Sequence, residues 1–264
     1  MGFLGEFKKK LNSLRQKGAF HIFIGSFITK FVAFFGSIFI VRVLSKSDYG
    51  ILSYVENFFN YAYVLAGMGL TNALLRYVIL AEKKEGKFAY YRYVIKYGSI
   101  FNIALFVAAC IFGFFYPHPE EFALAKWFLP ILLISLPFRY LCDSQNSLQR
   151  AMFDNKRFAY WACLISVSVV LGKLAASLLF GLEGAIVSWV LVYGVLALAL
   201  GVYVHKTFFR DVTPGTLTRE NKRVTNRYSI QYMITNSIWA AWRGHGLRLF
   251  RSRKKRLRNV PALP

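Results

Sequence analysis

The sequence predicts an all-α, polytopic transmembrane helix bundle of six complete spans and a partial seventh. Apolar runs long enough to cross about 30 Å of hydrocarbon as a helix, roughly 20 residues each, recur along most of the chain. The 264 residues are 56% hydrophobic and 17% charged, with mean hydropathy +0.40, which is more apolar and less charged than a soluble domain. The positive charge, finally, gathers in every second loop between the runs.

Residues 1–18 come first. Phe3, Leu4, Phe7, Leu11 and Leu14 recur at helical spacing among Lys8, Lys9, Lys10, Arg15 and Lys17. That pattern reads as a short amphipathic helix lying on a membrane surface. The apolar run that follows, Phe20 to Val43, is too long for a signal peptide's core and lacks a small-x-small cleavage site, so it is span one. Span two is Tyr49–Leu70, leaving through Arg76 and Tyr77 into a loop with Lys83, Lys84, Lys87, Arg92 and Lys96. Span three is Val94–Tyr116. A base-free Pro-His-Pro-Glu-Glu loop leads to span four, Phe122–Leu141, which holds Pro130 and Pro137. Arg150, Lys156 and Arg157 precede span five, Phe158–Phe180. A tight Gly181-Leu182-Glu183-Gly184 turn opens span six, Ala185–Val204. Residues 205–227 read as a polar loop, 228–242 as an incomplete seventh span and 243–264 as a basic tail. The membrane domain proper is 19–204.

The amino terminus and the loops on its side hold nearly all the loop bases; the opposite loops hold Arg42 and Lys46. Short loops rich in Lys and Arg stay in the cytoplasm, so the amino terminus is expected there. The same distribution accounts for the net charge of +22. Bases that set topology and meet anionic headgroups are not a nucleic-acid footprint, so no nucleic-acid partner is expected and membrane lipids are. Cys110, Cys142 and Cys163 form no metal or disulfide spacing, and the four histidines are scattered. No phosphate-cradling P-loop or dinucleotide fingerprint occurs, so an ATP-driven pump within this chain is not expected, nor is a cofactor or a metal.

Charge within a span costs about 2.5–3.5 kcal/mol on insertion scales and therefore faces protein or water. Lys30 falls near the middle of span one and Lys173 two-thirds along span five. Lys126, Arg139, Arg42 and Arg76 lie near span ends, where snorkelling to headgroups is favoured over a place in a cationic, water-filled cavity. Glu56, Asn57 and Asn60 make a polar patch in span two, at spacings that share a helix face. Lys30 and Glu56 differ in depth by about 5 Å, so an ion pair between spans one and two is expected. The interfacial tyrosines read as an aromatic belt.

Two stretches carry a family resemblance. One is Val41-Arg42-Val43-Leu44-Ser45-Lys46-Ser47-Asp48-Tyr49-Gly50; the other is Gly67-Met68-Gly69-Leu70-Thr71-Asn72-Ala73-Leu74-Leu75-Arg76-Tyr77. The arginine and leucine (Arg42, Leu44), the Asp48-Tyr49-Gly50 turn and the glycine-leucine run from Gly69 to Arg76 resemble the polysaccharide biosynthesis (O-antigen type) flippases. These belong to the multidrug/oligosaccharidyl-lipid/polysaccharide exporter superfamily. Tyr228-Ser229-Ile230 is similar to the opening of the family's seventh span. Asp48 reads as a helix N-cap in a tight turn. The resemblance implies one half of a transporter with twelve or more spans. It also implies translocation of a polyprenyl-pyrophosphate-linked oligosaccharide, with polysaccharide polymerase and chain-length proteins as partners. Lys30, Arg42, Arg76 and Lys173 are candidates for a cavity that holds the pyrophosphate, because desolvated phosphate wants Lys or Arg. A cation-coupled drug exporter of the same superfamily and an oligomeric or scaffold module are the alternatives. Beyond Trp242 the composition turns abruptly basic, from Arg243 to Arg258 without an acid, and the expectation there is a truncation or frameshift, an inactive amino-terminal fragment being one consequence, with a basic lipid-binding tail as the alternative.

Overall fold

A backbone in hydrocarbon must satisfy its own N–H and C=O groups, and the apolar runs do so as helices. The computed structural model describes residues 19–258 apart from 214, with side chains described over 22–239. The basic segment 1–18 lies outside the described residues, as do the side chains of the 243–264 tail. All regular structure among the described residues is helical. Among the described residues five helices are long and apolar enough to cross a membrane, and the last is folded back on itself.

Helix α1 (Ala19–Val43) turns a row of phenylalanines outward, Phe23, Phe27, Phe31, Phe34 and Phe39 among them, the side chains a lipid phase accepts. A two-residue break leads to α2 (Lys46–Val64). Its N-cap is Ser45, not Asp48. The Ser45 hydroxyl accepts the Asp48 N–H at 3.0 Å and donates to the Asp48 carboxylate at 2.7 Å. Asp48, Tyr49 and Gly50 are already helical; the turn lies before them. The serine's hydroxyl reaches the free amide three residues on, and the aspartate stands at the third helical position, where its charge faces the positive end of the helix dipole. Ser45→Ala is expected to lower stability by about 1 kcal/mol, read as the midpoint of unfolding in detergent.

The second apolar run does not remain one helix. After α2 the chain makes a tight 3-10 turn, Ala66–Gly69, then resumes as α3 (Leu70–Leu80). Gly67, Met68 and Gly69 take φ values of +61°, +51° and +75°. Helix α4 (Lys84–Phe115) begins ten residues before span three's expected start. It packs against the break, where Asn102 accepts the Gly67 N–H at 3.3 Å and donates to the Gly98 carbonyl at 2.7 Å.

Span four divides into α5 (Ala125–Leu133) and α6 (Ser135–Ala151). Pro137 has no N–H to offer the Leu133 carbonyl, and the Ile134 N–H is shared between Pro130 (3.2 Å) and Ile131 (3.3 Å). Helix α6 runs ten residues past the expected end of the span. Its polar continuation is buried rather than looped out: Gln145, Asn146 and Gln149 pack inside the bundle.

Helix α7 (Asn155–Phe208) is two antiparallel arms joined at Gly181, whose φ of 59° and ψ of −139° no other residue adopts cheaply. Trp161 of the first arm meets Tyr203 of the second, ring centroids 5.3 Å apart. Its first arm lies along α1. Helix α6 packs against the same hairpin, and the buried core runs through Val55, Phe59, Leu74, Leu132, Leu136, Ile186 and Leu200. The expected polar loop shrinks: 205–208 end α7, and α8 (Arg219–Arg258) starts nine residues before Tyr228. Helix α8 packs on α3 and on the glycine break.

Candidate functional site: a ring-walled polar column

Three elements turn polar or aromatic side chains toward one another inside the bundle. From α2 come Glu56, Phe59 and Tyr63, spaced three and four apart and so on one face. Helix α6 supplies Arg139 and Asp143, one turn apart. The hairpin α7 supplies Lys173 from its first arm and Trp189 and Tyr193 from its second. Phe59 stacks on Tyr63 (5.9 Å between centroids) and leans on Trp189 (5.6 Å), and Trp189 touches Tyr193 (6.3 Å).

Two cations sit against this wall. Lys173 Nζ donates to Glu56 Oε1 at 2.8 Å and lies 5.3 Å from the Trp189 ring centroid. The Arg139 guanidinium stands 4.0 Å from the Tyr63 ring, 5.5 Å from Phe59 and 6.0 Å from Tyr193. The Tyr63 hydroxyl donates to Asp143 Oδ2. Glu56 and Tyr63 are two turns apart, so the two charged levels are separated by about 10 Å along the bundle. Each cation has aromatic faces and a carboxylate nearby, which is how a charge is held away from water at tolerable cost.

Below the Arg139 level is a cavity of about 170 Å³ at the glycine break, lined by Tyr63, Thr71, Asn72, Asp143, Tyr232 and Asn236. Thr71 shares a hydrogen bond of 3.0 Å with Ser144 of α6. Gly69 brings α8 to this wall: a Cβ there would stand 2.4 Å from the Ser229 carbonyl oxygen.

The expected Lys30–Glu56 pair is replaced by Lys173–Glu56. Among the described residues the ion pairs are this one and Arg157–Asp154. Lys30 is exposed and lines a different cavity, of about 220 Å³, between α1 and the first arm of α7, with Ser26, Thr29, Ala162 and Ser166. Arg42 is exposed at the end of α1. Arg76 is exposed on α3, toward the opposite end of the bundle, 4.7 Å from the Tyr228 ring and 5.9 Å from Tyr77. The four candidate cations therefore do not form one cluster, and of them Lys173 alone lies on the ring wall. Asn57 and Asn60 are exposed on α2 beside half-buried Glu56. Arg139 is not a snorkelling residue; its side chain is folded onto three rings. Asp143, Trp189 and Tyr193 escaped the sequence reading. A legible signal existed for one of them: Arg139 and Asp143 stand at i and i+4 on a helix.

Residues 16–243 match the family model described as polysaccharide biosynthesis protein. No curated protein matches the chain. Several solved structures match it. The crystal structure of a MATE point mutant is 19% identical with a TM-score of 0.59, over 84% of this chain and 52% of that one. An outward-facing multidrug resistance MATE family transporter of the MOP superfamily is 18% identical with a TM-score of 0.61, over 84% and 52%. A MOP superfamily transporter from Pyrococcus furiosus Vc1 is 16% identical with a TM-score of 0.62, over 83% and 51%. The chain thus spans about half the length of these structures, and at such identities the likeness is one of fold. It is a multi-pass membrane protein with the fold of a MATE-like half-domain, and it belongs to the polysaccharide biosynthesis protein family.

Proposed function

We propose that this chain serves the translocation of polyprenyl-pyrophosphate-linked oligosaccharide across the cytoplasmic membrane for surface polysaccharide assembly, its amino terminus facing the cytoplasm. One observation carries the reading: Lys173 and Arg139, on different helices, are both held on a single aromatic wall within membrane-crossing segments. A diphosphate crossing hydrocarbon needs fixed cations in place of water, and rings beside them suit sugars and cations alike. The family match supports the class of product, and the transporter fold supports movement rather than synthesis. Polysaccharide polymerase and chain-length proteins are the partners this role entails.

Complementation of a strain lacking its lipid-linked oligosaccharide flippase tests the reading. Surface polysaccharide is expected to return with this chain and to fall by about tenfold or more in Lys173→Gln and in Arg139→Gln, which lose charge-assisted contacts to phosphate. A return undiminished in both variants overturns it. A second reading, a cation-coupled drug exporter, is favoured by one feature, the Asp143 carboxylate lining the cavity at the glycine break. Efflux of a cationic dye that depends on Asp143 and not on Lys173 would select it.

A further inference from the structure

We propose that Glu56 is a built-in counter-anion: it occupies the Lys173 site at rest and is displaced by the phosphate of the incoming substrate. The proposal rests on the reading of the column as a diphosphate site.

The pair has the geometry of an occupied anion site. Lys173 Nζ meets Glu56 Oε1 at 2.8 Å, the distance at which an ammonium binds any anionic oxygen. The two side chains come from different elements, α2 and the first arm of α7, so a small shift of one against the other parts them. Neither is sealed, for Lys173 keeps 15% and Glu56 24% of its side-chain surface exposed. A ligand can therefore reach the ammonium, and the carboxylate has somewhere to go.

The indole over which Lys173 sits also carries a donor without an acceptor. Trp189 is 7% exposed, its ring is 5.3 Å from Lys173 Nζ, and its indole Nε1–H has no hydrogen-bond partner among the described residues. A buried donor left unpaired is costly, and an acceptor arriving at Lys173 with several oxygens has one to offer it. A carboxylate already bound to the lysine does not satisfy it. A diphosphate also carries more negative charge than one carboxylate, so it wins the exchange at a shared cation.

Such a competitor has two effects. It keeps the resting site electrically neutral, which lowers the cost of a lysine inside the membrane. It also weakens the site, since each binding event must first break the pair, and its return helps expel the ligand. Transport requires binding that is favourable but reversible, and an internal anion provides the reversibility.

Equilibrium binding of radiolabelled inorganic pyrophosphate to the full chain in lipid nanodiscs tests this. Glu56→Gln is expected to bind it about tenfold more tightly than the wild type, because the amide leaves Lys173 charged and uncontested. Glu56→Asp keeps the charge with a shorter reach and is expected to gain about threefold, which gives the same answer should Glu56→Gln fail to fold. Binding unchanged or weakened in the folded Glu56 variants overturns the proposal. The double variant Glu56→Gln/Lys173→Gln, an amide pair that can still hydrogen-bond, separates the two levels of the argument. It is expected to lose the gain entirely. If it binds as tightly as Glu56→Gln, Lys173 is not the site and the diphosphate reading of the column falls with it; if it loses binding while Glu56→Gln shows no gain, the site stands and the counter-anion role alone is lost.

Discussion

Gly67→Ala is expected to lower the stability of the bundle by about 3–4 kcal/mol, the sum of a left-handed backbone penalty and overpacking. The backbone at Gly67 has a φ of +61°, and a Cβ there would stand 2.1 Å from Tyr140 Cε2. The ring cannot retreat. Tyr140 is 1% exposed, its hydroxyl donates to the Val94 carbonyl at 2.8 Å, and its far edge lies so close to Gly98 that a Cβ on that residue would be 1.8 Å from the hydroxyl oxygen. The tyrosine is wedged between two glycines on two elements, and it fixes where α2 stops and α3 begins. Gly86→Ala is the matched control: its Cβ would meet only the Ala81 methyl at 3.7 Å, and it is expected to be neutral or mildly stabilising. Unfolding midpoints in one detergent compare the two. Equal midpoints for Gly67→Ala and Gly86→Ala would show that the slot is not what holds the break. Because the break forms one wall of the Asp143 cavity, the same substitution is expected, on the proposed transport role, to reduce transport along with stability.

That slot also shows where sequence reading stops. Hydropathy locates the long apolar helices, though not their ends, because burying or lipid-exposing an apolar run demands little beyond length. The Gly181 turn is legible for the same reason: a glycine flanked by two apolar runs leaves one place to reverse. The break at Gly67–Gly69 is not, since its residues are as apolar as a helix interior and the left-handed turn is enforced by Tyr140, far away in sequence. Nor is the reach of α6. Ser144, Gln145, Asn146 and Gln149 have the composition of a loop, yet they are buried because α4 and α7 cover them. Asp48 misleads for a more local reason: two residues in the segment can cap a helix, and the serine three positions earlier takes the role. In the column, residue spacing sets the depth of each charge along its own helix and nothing about which helices are neighbours. By depth, Lys30 suits Glu56. In the fold, α1 barely meets α2 and lies instead along the first arm of α7, so Lys30 lines a cavity with Ser166 while Lys173 pairs with α2.

The corrected pairing makes a sharp comparison of two lysines in the membrane. Lys173→Met is expected to cost about 2 kcal/mol, because it leaves the part-buried Glu56 carboxylate without its cation. Lys30→Met removes an exposed ammonium that has no ion pair among the described residues, and it is expected to change stability by no more than about 0.5 kcal/mol. Exchanging the charges, as Glu56→Lys with Lys173→Glu, is expected to recover most of the loss, since attraction depends on the pair and not on which helix carries which sign. Recovery should be incomplete: the lysine's place over the Trp189 ring would be taken by an anion, which the negative face of an indole repels. Unfolding in detergent of the single variants, the exchanged pair and the wild type forms a double-mutant cycle. A coupling energy near zero would mean that water, rather than Lys173, supports Glu56. A large coupling with full loss of transport in the exchanged protein would separate what the pair does for the fold from what the lysine's position does for the substrate. The fold needs opposite charges at 56 and 173. Transport, on the diphosphate reading, needs the cation on the hairpin, over the Trp189 ring.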